Sequence, residues 1–215
     1  MSKKVKYNLP SSFCGNIDRE IFLVTIDVMK LLLHTCCAPC LTYPYKVLAE
    51  DGMQVWAFSY NPNIHPFTEY TKRLNCVKDY SERKGIKLIV KDDYALEEFI
   101  RHVVFRENNR CSICYRIRLA ETAKTAKSGK FDAFSTTMLI SPHQKHDLIR
   151  SIGESVAAEF GIDFFYKDFR KGYRESVSLS KDAGLYRQQY CGCIYSEKER
   201  YMPKKLNRNK KRVAC

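Results

Sequence analysis

Seven of the chain's ten cysteines occur in three short motifs that lie far apart in the sequence. The motifs are HTCCAPC, CSIC and CGC, and their cysteines are Cys36, Cys37, Cys40, Cys111, Cys114, Cys191 and Cys193. Thiolates bind zinc and iron–sulfur clusters, and two neighbouring thiols can exchange two electrons by forming a disulfide. The motifs therefore indicate metal binding, redox chemistry, or both.

The CC and CxxC motifs together supply four thiols that are suited to one metal centre. Within a strand, Cys36 and Cys37 would point to opposite faces, so both can face one centre only where the strand has ended. Pro39 disfavours helix at the residue before it, which predicts that HTCCAP forms a loop. CSIC precedes a helical pattern, and near a helix start its two cysteines share one face. Four thiolates suffice for an iron–sulfur cluster or a tetrahedral zinc, whereas the alternative is buried thiols that pack as small apolar side chains.

The CGC motif differs in kind from the other two. A disulfide between Cys191 and Cys193 would close a very small, strained and easily reduced ring, and Gly192 supplies the backbone freedom for that turn. Such a pair is suited to moving two electrons. The alternative is that one or both thiolates bind a second metal beside the first, with Cys40 as a further candidate ligand. The spacing leaves both roles open.

Apolar runs alternate with longer amphipathic stretches along the chain. The runs predicted as strands are 30–35, 54–60, 87–92, 131–140 and 162–169, and the helical patterns lie near 41–51, 66–85, 95–107, 111–128 and 143–160. Strands that alternate with helices over short connections predict a parallel sheet covered on both faces. We therefore expect an α/β fold, with a Rossmann-like open parallel sheet of about five strands and helices on both faces.

Polar segments follow three of the predicted strands, where open parallel sheets bind their ligands. After the second strand, YNPNIHPFTEY offers hydrogen-bonding side chains suited to a polar modified base: Asn61, Asn63, His65 and Glu69. The alternative for this segment is a turn followed by a helix cap. Arg187, in GLYRQQY, is a candidate phosphate contact.

The segment ISPHQKHD follows the fourth predicted strand. Ser141 as the N-cap, Pro142 at the first helical position and Gln144 as the partner of a capping box predict that a helix starts here. His143 and His146 are then left as candidate ligand contacts.

The composition favours a single folded domain. The chain has 215 residues, of which 45% are hydrophobic, and its formal net charge is +13. Its start lacks the pattern of a signal peptide and no apolar stretch is long enough to span a bilayer, so we expect a cytoplasmic protein with reduced thiols and no membrane partner. From Lys198 to Cys215, eight basic residues stand against one acid, Glu199. Such a tail either binds a polyanion or is simply a solvated segment.

Taken in order, the motifs resemble the epoxyqueuosine reductase family of the QueH type. The resemblance extends from about Lys30 to Ser196 and rests on HTCCAPC, YNPNIHPFTEY, CSICYRIRL, TTMLISPHQKHDLI and SKDAGLYRQQYCGCIYS. It implies an oxidoreductase that removes the epoxide oxygen of epoxyqueuosine in tRNA, in a two-electron step that leaves the cyclopentene of queuosine. The partners that it implies are tRNA bearing epoxyqueuosine and an external electron donor.

The resemblance also implies roles for the cysteines. The ligands of a [4Fe-4S] cluster would be Cys36, Cys37, Cys111 and Cys114, and the redox-active pair would be Cys191 and Cys193. An additional mononuclear iron is implied beside the cluster, with Cys40 as a candidate ligand, although family members vary at that position and some carry a carboxylate there. The implied organisation is an N-terminal extension, an α/β catalytic domain with the iron–sulfur site and a basic C-terminal tail, at residues 1–29, 30–200 and 201–215.

Two other functions compete with this interpretation. An ATP-dependent tRNA thiolation enzyme would need a glycine-rich phosphate loop after the first strand, where this chain has HTCCAPC and no glycine. A zinc-binding, non-catalytic tRNA-binding module would bind RNA through the basic tail. Zinc would leave the purified protein colourless, whereas an iron–sulfur cluster would make it brown.

Overall fold

The structure, a computed structural model, describes residues 3–4, 25–26 and 28–203. The strands of this part of the chain are β1 (Lys3–Lys4), β2 (Thr25–Ile26), β3 (Lys30–His34), β4 (Gln54–Ser59), β5 (Leu88–Val90), β6 (Ala133–Thr136) and β7 (Asp163–Phe164). The α-helices are α1 (Ala38–Glu50), α2 (Phe67–Arg83), α3 (Leu96–Val103), α4 (Arg110–Ser128), α5 (His146–Phe160), α6 (Tyr173–Asp182) and α7 (Ile194–Tyr201). Short 3₁₀ helices cover Glu107–Asn109, Thr137–Ile140 and Arg170–Gly172.

Five of the strands form one parallel sheet in the order β5-β4-β3-β6-β7. Numbered by their appearance in the chain, these strands follow the order 3-2-1-4-5, which is that of a Rossmann fold. The predicted α/β fold with a Rossmann-like open sheet is therefore confirmed. Strands β1 and β2 form a separate antiparallel pair within the predicted N-terminal extension.

The core surrounds β3, the central strand. Leu31, Leu32 and Leu33 are fully buried, as expected for a strand that is covered on both faces. Helix α1 packs against α2 and α6, while α4 packs against α5. Right-handed crossovers place α1 and α2 on one face of the sheet and α4 and α5 on the other. Among the helices described, none has the length and hydropathy needed to cross a bilayer.

The chain changes direction between β3 and β6, which are neighbours in the sheet. The connection after β3 leads to one side of the sheet, and the connection after β6 leads to the other, so a crevice opens at their carboxyl ends. Cys36 follows β3 and Thr137 follows β6. The backbone N–H of Cys36 donates to Thr137 Oγ1 at 3.2 Å across this crevice. The first cysteine motif therefore lies at the switch point of the sheet.

Two local predictions, about the ends of the first and fourth strands, are correct only in part. Helix α1 begins at Ala38, so the loop predicted for HTCCAP is confined to the residues between His34 and Ala38. Pro39 is accommodated in the first helical turn, where its missing N–H has no intrahelical partner to lose. The strand predicted for 131–140 ends at Thr136, because the Thr136 side chain accepts from the N–H of Met138 at 3.1 Å and starts a 3₁₀ turn.

The predicted helix start in ISPHQKHD is also wrong. Helix α5 begins at His146, and its N-cap position is Lys145. The Ser141 hydroxyl accepts instead from the N–H of His143 at 3.2 Å within a turn, which leaves the Gln144 side chain free for other contacts. Helices α6 and α7 were outside the predicted helical patterns. The division of the chain at residues 29 and 200 stays a prediction, and residues 204–215 of the predicted tail, like most of residues 1–27, lie outside the described residues.

Candidate metal centre

The HTCCAPC motif brings three sulfur atoms together at the end of β3. Cys36 and Cys37 lie in the turn before α1, and Cys40 lies in the first turn of that helix. The three Sγ atoms lie within 4.8 Å of one another, and those of Cys36 and Cys37 are 3.8 Å apart. Three thiols at this spacing can hold a metal ion.

The three thiols differ in acidity. Hydrogen bonding from Cys37 and Cys40 lowers the pKa of Cys36 well below its ordinary value. Burial raises the pKa of Cys37, and the hydrogen bond to Cys36 raises that of Cys40. The group therefore favours a thiolate at Cys36, the form in which cysteine binds a metal.

The CSIC motif lies at the start of α4, as predicted, with Cys111 half-buried and Cys114 buried. Burial raises the pKa of the Cys114 thiol to about 12, although the positive charge of Arg118 opposes this shift. Arg118 lies one helical turn after Cys114, and its Nη1 donates to Cys114 Sγ at 3.6 Å.

Arg118 also connects α4 to the turn that carries the first motif. Its Nη2 donates to Asn61 Oδ1 at 3.1 Å, and Asn61 Nδ2 donates to the Thr35 carbonyl at 3.0 Å. Its Nε donates to His34 Nε2 at 3.3 Å. Burial and the charge of Arg118 lower the pKa of His34 to about 3, so this imidazole is neutral near pH 7.

The CGC segment, residues 188–193, is linked to the other cysteine-bearing parts of the crevice through two glutamines. Gln188 Nε2 donates to Cys37 Sγ at 3.0 Å. Gln144 Nε2 donates to Cys191 Sγ at 3.3 Å, and Gln144 Oε1 accepts from the Tyr115 hydroxyl at 2.7 Å. Cys191 is exposed and Cys193 is buried, and both are free thiols. Their role as a redox-active pair stays a prediction.

Arg73 in α2 holds the backbone of the CGC segment. Its Nη1 donates to the Cys191 carbonyl at 2.9 Å and its Nη2 to the Tyr190 carbonyl at 3.0 Å. Its Nε donates to Glu69 Oε1 at 2.7 Å, and Glu69 Oε2 accepts from the Tyr186 hydroxyl at 2.5 Å. Both members of this ion pair are buried.

Gly192 fits closely against the segment that follows β4. Its carbonyl accepts from the N–H of His65 at 2.8 Å, and the Tyr190 hydroxyl donates to the His65 carbonyl at 2.6 Å. Gly192 has φ +147°, a conformation that side chains rarely adopt. A Cβ there would lie 3.2 Å from Asn63 Nδ2 and 3.3 Å from Arg73 Nη1. The predicted requirement for glycine between the two cysteines therefore has a second cause, which is lack of space.

The five residues predicted to bind substrate fall into two groups. Four of them are buried and contact other residues of the chain, namely Asn61, Asn63, His65 and Glu69. Asn61 contacts Arg118, while Asn63, His65 and Glu69 lie around the CGC segment or the arginine that holds it. Arg187 is exposed. Direct contact of any of the five with a substrate stays a prediction.

The family to which the chain belongs follows from its similarity to known proteins. A family model described as "Epoxyqueuosine reductase QueH" matches residues 31–199. The chain belongs to the QueH family. Relatives named "Epoxyqueuosine reductase QueH" include those of Dehalococcoides mccartyi, 44% identical over 80% of this chain and 94% of the relative, and Thermotoga maritima, 36% identical over 79% and 91%. The predicted family and its class, an oxidoreductase of queuosine biosynthesis, are therefore confirmed.

A solved structure of another protein shares the fold of this chain. The U34-tRNA thiolase NcsA from Methanococcus maripaludis, described with its [4Fe-4S] cluster, matches with a TM-score of 0.53 over 84% of this chain and 66% of that chain. At 14% identity, this likeness shows the fold alone.

Several residues of the QueH site were missed from the sequence: Arg73, Arg118, Gln144 and Gln188. Arg118 follows Cys114 by four positions and Arg73 follows Glu69 by four, so helical spacing could have placed each pair on one face. Gln144 was interpreted as a capping residue, and its actual partner, Cys191, is 47 positions away. Gln188 bonds a cysteine 151 positions away, and local pattern carries no signal for such a contact.

Proposed function

We propose that this chain reduces epoxyqueuosine in tRNA to queuosine. The epoxide takes up two electrons and two protons, and the products are the cyclopentene and water. Membership of the QueH family supports this reaction. The structural observation that carries it is that a polar side chain donates directly to a sulfur atom of each of the three cysteine motifs: Gln188 to Cys37, Arg118 to Cys114 and Gln144 to Cys191.

The residues of the crevice fit an iron–sulfur centre. The donor set consists of thiols, and buried or half-buried polar groups are placed to donate to their sulfur atoms, which stabilises thiolates. Thr137 Oγ1 lies 3.5 Å from Cys36 Sγ and acts in the same way as Arg118 and Gln188. Cys36, Cys37, Cys111 and Cys114 would hold a [4Fe-4S] cluster, and Cys40 is a candidate ligand for an additional mononuclear iron. When bound, these groups would supply one-electron transfer and a Lewis acid.

Cys191 and Cys193 are proposed as the source of the two electrons. Oxidation of two thiols to a disulfide releases two electrons and two protons, which balances the reduction of the epoxide to alkene and water. The exposed Cys191 is accessible to substrate, and Gln144 orients its sulfur atom. An external electron donor must then reduce the disulfide after each turnover.

The tRNA partner is proposed from the charge of the chain as well as from its family. The formal net charge of +13 favours association with a polyanion through release of counterions. Deletion of residues 204–215, which contain six lysines and arginines, should weaken tRNA binding and make it less dependent on salt. An unchanged affinity and salt slope would contradict a role of the tail.

The decisive experiment combines metal analysis with turnover. Protein purified without oxygen should be brown and contain iron and sulfide. With a chemical or enzymatic reductant, it should convert epoxyqueuosine in tRNA to queuosine. Mass spectrometry of the released nucleosides measures this conversion. Iron-loaded protein that leaves the epoxide intact with every reductant would contradict the proposed reaction.

One observation favours a second candidate, a zinc site without redox chemistry. The separation of 3.8 Å between Cys36 and Cys37 Sγ and the 4.8 Å limit for all three sulfur atoms also fit ligands of one tetrahedral ion. Colourless protein with one equivalent of zinc and no sulfide would support this candidate and contradict the cluster.

A further inference from the structure

Arg118 is a buried cation without a carboxylate partner among the described residues. Its side chain is nearly inaccessible, with 3% of the residue exposed. Its hydrogen-bond partners are His34 Nε2, Asn61 Oδ1 and Cys114 Sγ. None of the ion pairs within residues 28–203 includes it. This contrasts with Arg73, the other buried arginine near the site, which pairs with Glu69.

A buried guanidinium without a negative partner is costly. An arginine side chain stays protonated in proteins, so it cannot avoid the cost by losing its proton. Transfer of such a charge out of water is strongly unfavourable unless another charge compensates it. Asn61 is neutral, and the neutral His34 ring accepts a hydrogen bond from Arg118 without contributing negative charge. Two of its three contacts therefore orient Arg118 but leave its charge unbalanced.

Sulfur is the remaining source of negative charge. Arg118 Nη1 donates to Cys114 Sγ at 3.6 Å, and its other two partners, His34 and Asn61, are neutral. Cys114 belongs to the CSIC motif, so a thiolate or a cluster held there would supply the missing charge. His34 and Asn61 hold the guanidinium in place beside this sulfur atom.

We propose that Arg118 is the fixed counter-charge of the metal centre and raises its reduction potential. The inference rests on the proposed function, because it requires an iron–sulfur cluster held by Cys36, Cys37, Cys111 and Cys114. Reduction adds negative charge to such a cluster, and a fixed positive charge with N–H···S hydrogen bonds stabilises the reduced form more than the oxidised form. Arg118 is thus a positioning and tuning residue that contacts a cluster ligand and does not touch the substrate.

The test compares two replacements of Arg118 with a control on the same helix. Arg118→Gln keeps hydrogen-bond donors but removes the charge, and Arg118→Lys keeps the charge but loses the planar fork. Arg116→Gln is the matched control, because Arg116 is exposed and pairs with Glu159 on the surface. Each full-length protein is purified without oxygen, its iron and sulfide are measured, and its midpoint potential is determined by a dye-mediated titration that follows visible absorbance.

The expected result is a more negative potential, or loss of iron and sulfide, in Arg118→Gln, while Arg118→Lys stays closer to the unmodified protein and Arg116→Gln is unchanged. An Arg118→Gln protein with full iron content and an unchanged potential would overturn this inference but would leave the proposed function unaffected. Equal effects of the lysine and glutamine replacements would also overturn it, since charge would then not be the cause. Absence of a cluster from the unmodified protein would overturn the inference together with the proposed cofactor.

Discussion

Arg73 and Cys191 are joined by a hydrogen bond of 2.9 Å, in which the guanidinium of α2 donates to the backbone carbonyl of the cysteine. The contact is to the main chain, so it fixes the position of the CGC segment while the Cys191 side chain stays accessible. The same guanidinium holds Tyr190 and forms a buried ion pair with Glu69. The backbone of the predicted redox pair is therefore held in place by a side chain of α2, a helix that carries none of the motif cysteines.

Replacement of Arg73 by methionine should destabilise the protein and lower its turnover. The change leaves Glu69 as a buried carboxylate without its cation, at a cost of about 3–5 kcal/mol in the free energy of unfolding. Urea unfolding measures this loss. Addition of Glu69→Gln to Arg73→Met should restore part of the stability, because the unpaired charge is removed. Lys78→Met is the control, since the Lys78–Asp92 pair is exposed and contributes about 0–1 kcal/mol. Equal losses in the two single variants would contradict the role of the buried pair.

Cys114→Ala should lower the iron and sulfide content of protein purified without oxygen. The variant removes one proposed ligand and the sulfur atom to which Arg118 donates. The control is Cys76→Ala, because Cys76 is half-buried in α2 and lies outside the three motifs. Full metal content and normal absorbance in Cys114→Ala would remove this cysteine from the proposed ligand set.

Cys191→Ser should abolish turnover under a physiological electron supply while the metal content stays normal. Serine cannot form a disulfide with Cys193, so the two-electron step would lose its source. Iron and sulfide analysis of the same sample separates this loss from damage to the centre. Should the variant retain full turnover, the CGC pair would have no part in the electron transfer.

Acid should destabilise the protein through His65. Burial lowers its pKa from 6.5 to about 4, so the unfolded chain takes up a proton below about pH 6.5 and the folded protein only near pH 4. Stability is therefore lost as the pH falls through this window, by about 2 kcal/mol between pH 7 and pH 5.

His65→Leu should remove this part of the pH dependence. Neither ring nitrogen of His65 has a hydrogen-bond partner in the described structure, so the replacement should be tolerated at pH 7. Urea unfolding at pH 7 and pH 5 measures the difference, and the exposed His102 serves as the control in His102→Leu. If His65→Leu and the unmodified protein lose the same stability between the two pH values, another group is responsible.

The sheet could be predicted from the sequence because its signal is local. Leu31, Leu32 and Leu33 are buried, and strands alternate with helices along the chain, a pattern that predicts a parallel sheet covered on both faces. Helix boundaries were less predictable. Ser141 bonds within a turn and Pro39 enters the first turn of α1, and in both cases the local pattern is compatible with a second structure.

The cysteines could be predicted to belong together, but the groups that support them could not. Cys36 and Cys37 form part of a short motif, and the fold places that motif at the switch point of the sheet. Thr137 and Gln188 reach Cys36 and Cys37 from 101 and 151 positions away. Nothing in a single sequence indicates that a given polar residue makes such a contact, because the two residues come together only when the sheet has formed.

The contact between Gln188 and Cys37 has a consequence for biosynthesis. During translation, Cys36 and Cys37 leave the ribosome long before the segment that contains Gln188, and contacts of such sequence separation form slowly. The nascent chain must therefore carry adjacent unprotected thiols until almost the whole domain has emerged. Insertion of the proposed iron–sulfur centre would have to follow this step, so cells should need to keep the growing chain reduced and away from stray metals.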